Sequence, residues 1–360
     1  MPLNSIPPTT TVENLEIKRD AAKSTECFTD VGFWGGVIPG NQNDLRPLID
    51  SGVRGFKCFM IESGVDEFPC VFEPDLVTAI PELTPSSMLM FHAELDDGVV
   101  HHDASSDPTL YSTFLSSRPP SLETGAIDLI ISLHKRFPGF RGHIVHLSAA
   151  DALPAIRAAR ADGLALTVET CFHYLCLTAS SIPHGHPEFK CCPPIRDATN
   201  RDKLWEALLD GTIDCVVSDH SPCVAELKRV QPESDGDFMS AWGGISTLGL
   251  GLSLLWTEGS KRGIKPGVLI SWLTTGTAKI ASLSNQKGAI RAGMDADFAI
   301  FDPTDSFMVT KESLNFKNKL SPYEGLSLKG RVQQTWLRGS LTYDVAQAGA
   351  EFIEARGKLI

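Results

Sequence analysis

One pattern constrains this chain more than any other. Short apolar runs alternate with capped, amphipathic segments that close on glycine. The runs at 55–60, 88–92, 143–147, 164–170 and 213–218 are short enough for buried strands, and 27–37 is a Gly-rich strand-like stretch before them. Helical patterns fall between the runs. Thr10-Thr11-Val12-Glu13 reads as a capping box opening a helix to about Lys23. Further helices are expected at 44–50, from Pro74, over 122–137, after a cap at 148–151, after a cap at Asn200, and at 246–256 and 266–274. Strand–helix alternation of this kind predicts a parallel sheet or barrel with helices on its outside.

Length allows the larger of these. A (β/α)8 barrel takes about 250 residues, and the chain has 360. After Leu283 the texture changes to short β-like pieces at 288–290, 299–301 and 332–337 among Gly and Pro. The expected division is a barrel over 1–284, a small β unit over 285–345 and a tail over 346–360. A net charge of −12 from 32 basic and 44 acidic residues argues against nucleic acid as partner. The most apolar stretch, 248–256, is too short to span a bilayer, and the first 20 residues have no basic-then-apolar leader pattern. Nine cysteines, an odd number without zinc-ribbon spacing, read as reduced thiols of the cytoplasm.

Several of the apolar runs end on a titratable side chain. Lys57 sits inside 55–60, His92 ends 88–92, His146 lies near the end of 143–147, Glu169 lies near the end of 164–170 with His173 just after it, and Asp219 follows 213–218. In a barrel, the C-terminal strand ends converge on one mouth. Histidines and an aspartate gathered there suit zinc or a similar divalent ion. A buried ammonium cannot ligate a metal, but a lysine carbamate formed with CO2 can. Taken singly, Lys57 is equally explained by snorkelling or by pairing with Glu169. His92 and His146 are equally explained as satisfied core histidines, and Asp219 as a turn cap. The ordered set at successive strand ends favours the metal site.

These residues resemble the metal ligands of the cyclic amidohydrolases: allantoinases, hydantoinases, dihydropyrimidinases and dihydroorotases. The segment 288–302, GAIRAGMDADFAIFD, is similar to the family's C-terminal return into a small β-sandwich. DVGFWGG at 30–36, GFKCF at 55–59, SGVDEFP at 63–69, CPPIRD at 192–197, WGGIS at 242–246 and SPYEG at 321–325 look like the allantoinase branch. The loop after Lys57 reads Met60-Ile61-Glu62-Ser63-Gly64, without the tyrosine of hydantoinases and dihydropyrimidinases. The resemblance implies a metal-dependent (β/α)8 barrel and a partial C-terminal β-sandwich. It implies two zinc ions, with metal ligands Lys57 (as carbamate), His92, His146 and Asp219. It implies Asp219 as the proton carrier for attack of a metal-activated hydroxide on a ring amide, opening allantoin to allantoate. Ser63, Cys192, Trp242 and Gly244 would bind substrate, and the assembly would be a homo-oligomer, a tetramer in the family.

The chain departs from the family in one respect. The family's first strand carries an H-x-H pair, and no histidine here precedes His92. Residues 1–10 resemble the segment just after the family's second strand. The expectation is therefore a barrel lacking its first two strands and the ligand pair of one metal, with turnover of the chain as written in doubt. The alternatives are a non-catalytic scaffold, a mononuclear hydrolase, or a hydantoinase-type enzyme. His101-His102 and His184-Gly185-His186 read as solvent-facing loop residues, and His173 and His220 as neighbours of the site that do not ligate.

Overall fold

The computed structural model describes residues 1–2, 5–101, 103, 105–347 and 353–360; His102, one of the loop histidines above, lies outside them. Six parallel strands form one sheet in sequential order: β1 (Gly35–Gly36), β2 (Phe56–Phe59), β3 (Met88–His92), β4 (Arg141–Ile144), β5 (Leu166–Cys171) and β6 (Cys215–Val217). Every residue of β2 and β3 is buried, as expected for strands covered on both faces. Helices Gln42–Asp50, Glu73–Ala79, Pro120–Arg136, Leu153–Ala161 and Ala198–Leu209 fill the crossovers. Their apolar faces (Leu45, Leu76, Ile130, Ile156, Leu204) join one core with Phe56, Phe91, Ile144 and Val168. This is the barrel architecture that the alternation predicts, with six consecutive strands present.

A second sheet of three antiparallel strands follows: β7 (Phe298–Met308), β8 (Ser327–Leu337) and β9 (Ser340–Asp344). Arg338 and Gly339, both at positive φ (48° and 79°), make the tight turn between β8 and β9. The two sheets are tied by ions. Asp30 takes Arg338 Nη1 at 2.5 Å and Lys287 Nζ at 2.7 Å, and Lys287 also binds Asp295 and Asp297.

Some local expectations are corrected. The strand expected over 27–37 shrinks to two residues. The N–H groups of Val31, Trp34 and Gly36 donate instead to the carbonyls of Lys358, Pro2 and Thr9. The helix expected from 246 starts at Gly251, because the N–H groups of Thr247 and Leu248 bind His220 Nδ1 at 3.1 and 3.2 Å. Asp197, not Asn200, caps Ala198–Leu209 by accepting from the Asn200 N–H at 2.8 Å. The Asn200 side chain bridges to Ala150 N and Ser148 O across the fold. Thr11, one residue after the Thr10 that opens the expected capping box, caps Val12–Ser24 by accepting from the Asn14 N–H at 3.2 Å.

Candidate active site

The C-terminal ends of β2–β6 open into a cavity of about 2080 Å³, and Lys57, His92, His146 and Asp219 all line it. Strand register accounts for the first two. Lys57 pairs across the sheet with Met90 and Phe59 with His92, so the lysine and the histidine stand on neighbouring strands two rungs apart. His92 stacks on Phe59 at 5.1 Å and meets His146 edge-on at 4.6 Å between ring centroids. His146 and Asp219 reach the mouth differently. Each lies two residues past its strand, in left-handed backbone with φ of 42° and 40°. A non-glycine side chain is disfavoured there and is kept only where its surroundings enforce it.

The electrostatics follow from burial. Lys57 is 3% exposed. Its ammonium lies 4.8 Å from the Phe59 ring centroid and makes no side-chain hydrogen bond or ion pair among the described residues. Desolvation pulls its pKa below the usual lysine value, against the attraction of Asp219. Burial likewise pushes His146 well down, so its imidazole is neutral, the form that ligates metals. Its Nδ1 is buried with no hydrogen-bond partner among the described residues. Burial raises the Asp219 carboxyl to about 6, although Lys57 acts in the opposite sense. The donor chemistry fits a divalent metal: imidazole, imidazole, carboxylate and a lysine whose unpaired charge a carbamate would remove.

Three braces around the site escaped the sequence reading. Glu94 accepts from His92 Nε2 at 2.8 Å and from Arg118 Nη1 at 2.6 Å. Burial alone would raise Glu94; Arg118 and His92 outweigh it and hold the carboxyl at about 2. The second brace is the Glu123–Arg196 pair, at 2.8 Å. Glu123 also accepts from the N–H groups of Ser148 and Ala149, both at 2.9 Å, which fixes the turn after His146. The third is Lys228, whose ammonium donates to the carbonyls of Lys190 (3.0 Å), Trp242 (2.8 Å) and Gly244. Lys190 in turn donates to Met239 O and Ala241 O at 2.9 and 2.6 Å. Only the acid in FHAE, directly after the His92 run, carried a readable signal.

Ser63, Cys192 and Trp242 line the cavity. The Ser63 hydroxyl is engaged in its own turn, donating to Phe68 O at 2.7 Å. The Trp242 indole donates to Ser221 Oγ at 3.2 Å. Gly244 lies just behind the lining, where an added Cβ would stand 2.4 Å from Ser221 Oγ, while Gly243 faces the cavity. His184 pairs with Asp107 and Thr109 at the surface, and His186 with Glu188; neither lines the cavity. His101 binds Asp97 in an exposed loop.

The amidohydrolase family profile matches residues 7–342. The chain belongs to the amidohydrolase family. It is 48% identical to the allantoinase of Streptomyces avermitilis over 361 aligned residues, which cover all of this chain and 78% of that protein. It is also 48% identical to the Saccharomyces cerevisiae allantoinase, covering 95% of this chain and 74% of the relative. Among solved structures, the L-hydantoinase (dihydropyrimidinase) of Arthrobacter aurescens superposes with a TM-score of 0.89 at 26% identity, covering 98% of this chain and 78% of that one.

Proposed function

We propose that this chain is a cyclic amide hydrolase that opens the hydantoin ring of allantoin to give allantoate. The observation that carries this is the convergence of Lys57, His92, His146 and Asp219 at one cavity mouth, in a chain 48% identical to allantoinases. Lys57 as its carbamate, His92, His146 and Asp219 would hold zinc, the ion that an imidazole and carboxylate set favours. A bound metal supplies Lewis acidity toward the ring carbonyl and lowers the pKa of water. Asp219, with its carboxyl raised to about 6, takes the proton of the attacking water and returns it to the leaving ring nitrogen. Trp242, Gly243, Cys192 and Ser63 form the wall against which the ring lies, with Gly244 and Lys228 holding that wall in place. Among the described residues no helix is long and apolar enough to cross a membrane. The expected setting is the cytoplasm and the expected assembly a homo-oligomer, testable by light scattering.

Purified protein supplied with zinc and bicarbonate is assayed on allantoin, hydantoin and dihydrouracil. Allantoate formation faster than opening of the other rings is the expected result. Preference for hydantoin or dihydrouracil would move the assignment to the hydantoinase branch. Zinc binding without turnover of any ring would make the chain a scaffold.

A further inference from the structure

Behind the cavity wall lies a second group of donor atoms. Cys171 ends β5, His173 follows in the short helix Phe172–Cys176, and Asp219 lies past β6. β5 and β6 are hydrogen-bonded neighbours with Cys171 opposite Val217, so backbone pairing brings the thiol toward residue 219. One ligand atom from each of Cys171, His173 and Asp219 lies within 4.8 Å of the other two. Cys171 and His173 are both 0% exposed, and neither lines the open cavity, whereas Asp219 does.

His173 supplies the second observation. Both of its ring nitrogens are buried with no hydrogen-bond partner among the described residues. A neutral imidazole carries one N–H and one lone pair, and leaving both unpartnered in the interior is unfavourable. The proposed ring opening uses neither His173 nor Cys171.

We infer that Cys171, His173 and Asp219 form an auxiliary site for a borderline or soft divalent cation, zinc or cadmium. Sulfur, imidazole and carboxylate are the donor set these ions prefer, and one that magnesium and calcium do not use. On binding, the Cys171 S–H bond breaks and a metal–sulfur bond forms, with the proton released to solvent. Thiolate and carboxylate together balance the ion, and the nearby Lys228 ammonium is already engaged by three carbonyls. Water completes the tetrahedron. Asp219 belongs to both sets, so an ion here holds the carboxylate that ring opening needs. That consequence rests on the proposed role of Asp219; the site itself does not.

Cobalt(II) titrated into the full chain tests the site, because a cobalt–thiolate bond gives a charge-transfer band in the near ultraviolet. The band is expected in the unaltered protein. Its loss is expected in Cys171→Ser, a near-isosteric change whose folding is checked by circular dichroism. At least about tenfold weaker cobalt affinity is expected in His173→Gln. The band should persist in Lys57→Met, which disables the catalytic set. Absence of the band in the unaltered protein, an unchanged band in Cys171→Ser, unchanged affinity in His173→Gln, or its loss in Lys57→Met would each overturn the site. Failure of allantoin hydrolysis leaves the band untouched, so the two readings fail separately.

Discussion

Two lysines of this protein are equally buried and oppositely placed. Lys57 and Lys228 are each 3% exposed. Lys228 donates to three backbone carbonyls, while Lys57 has an aromatic ring beside it and no hydrogen-bond acceptor among the described residues. A buried ammonium is unfavourable unless its donors are satisfied. Lys228 is therefore explained by its contacts, as a brace for the loop 242–244. Lys57 is not explained by contacts, and it sits at the cavity mouth beside His92 and His146. Burial of a charged residue says little about chemistry; the state of its donors says more.

The largest expected effect breaks the comparison at Lys57. Lys57→Met should reduce allantoin hydrolysis by about 10³-fold or more, as loss of a metal-anchoring group costs several kcal/mol of transition-state stabilisation. Its melting temperature should change little, since the side chain makes no polar contact to lose. Retained turnover would return Lys57 to a structural role. Next comes Glu94→Gln, which loosens His92 by weakening its bond to residue 94. Metal affinity, measured by dialysis and elemental analysis, should fall about 10–100-fold.

Lys228→Met should show the opposite signature to Lys57→Met. It removes the ammonium from the Trp242 and Gly244 carbonyls and leaves Lys190 O with the Gly244 N–H alone, which should cost about 3 kcal/mol in denaturant melts, with KM rising more than kcat falls. Equal loss of both would put Lys228 in the chemistry. The smallest effect separates unpartnered burial from function. His134 is 4% exposed, its Nε2 has no hydrogen-bond partner among the described residues, and it lies outside the cavity lining. Burial lowers its pKa to about 4. Between that value and the unfolded value near 6.5, the unfolded chain binds a proton that the fold does not, so stability falls as pH drops through this window. In His134→Leu the stability lost between about pH 6.5 and pH 4 should shrink by about 3 kcal/mol, with ring opening at neutral pH unchanged.

Much of the fold was legible because its signals are local. A buried strand of a parallel sheet is a short apolar run, and a lysine or histidine placed within or at the end of one stands out. That made Lys57, His92, His146 and Asp219 stand out within or just past their apolar runs. The loop histidines at 101, 184 and 186 each meet a carboxylate, of Asp97, Asp107 and Glu188. What was not legible depends on partners far apart in the chain. His220 holds a turn 27 residues on, Glu123 clamps a loop 25 residues away, and Lys228 reaches back 38 residues to Lys190. No periodicity encodes these pairings. The strand at 27–37 failed for the same reason: its donors found the carbonyls of Pro2, Thr9 and Lys358.

By itself, the sequence determined the class of fold, the acidic character of the chain, and which titratable side chains lie within or just past the strands. Alternation of polarity is set residue by residue, by whether a side chain gains from leaving water. Only the tertiary structure decided that His146 and Asp219 turn into the mouth through left-handed backbone, that Glu94 and Glu123 hold the turns beside the histidines, and that one buried lysine is satisfied while another is not. Those outcomes depend on which donor meets which acceptor once distant segments are packed together, and that is settled by the whole fold.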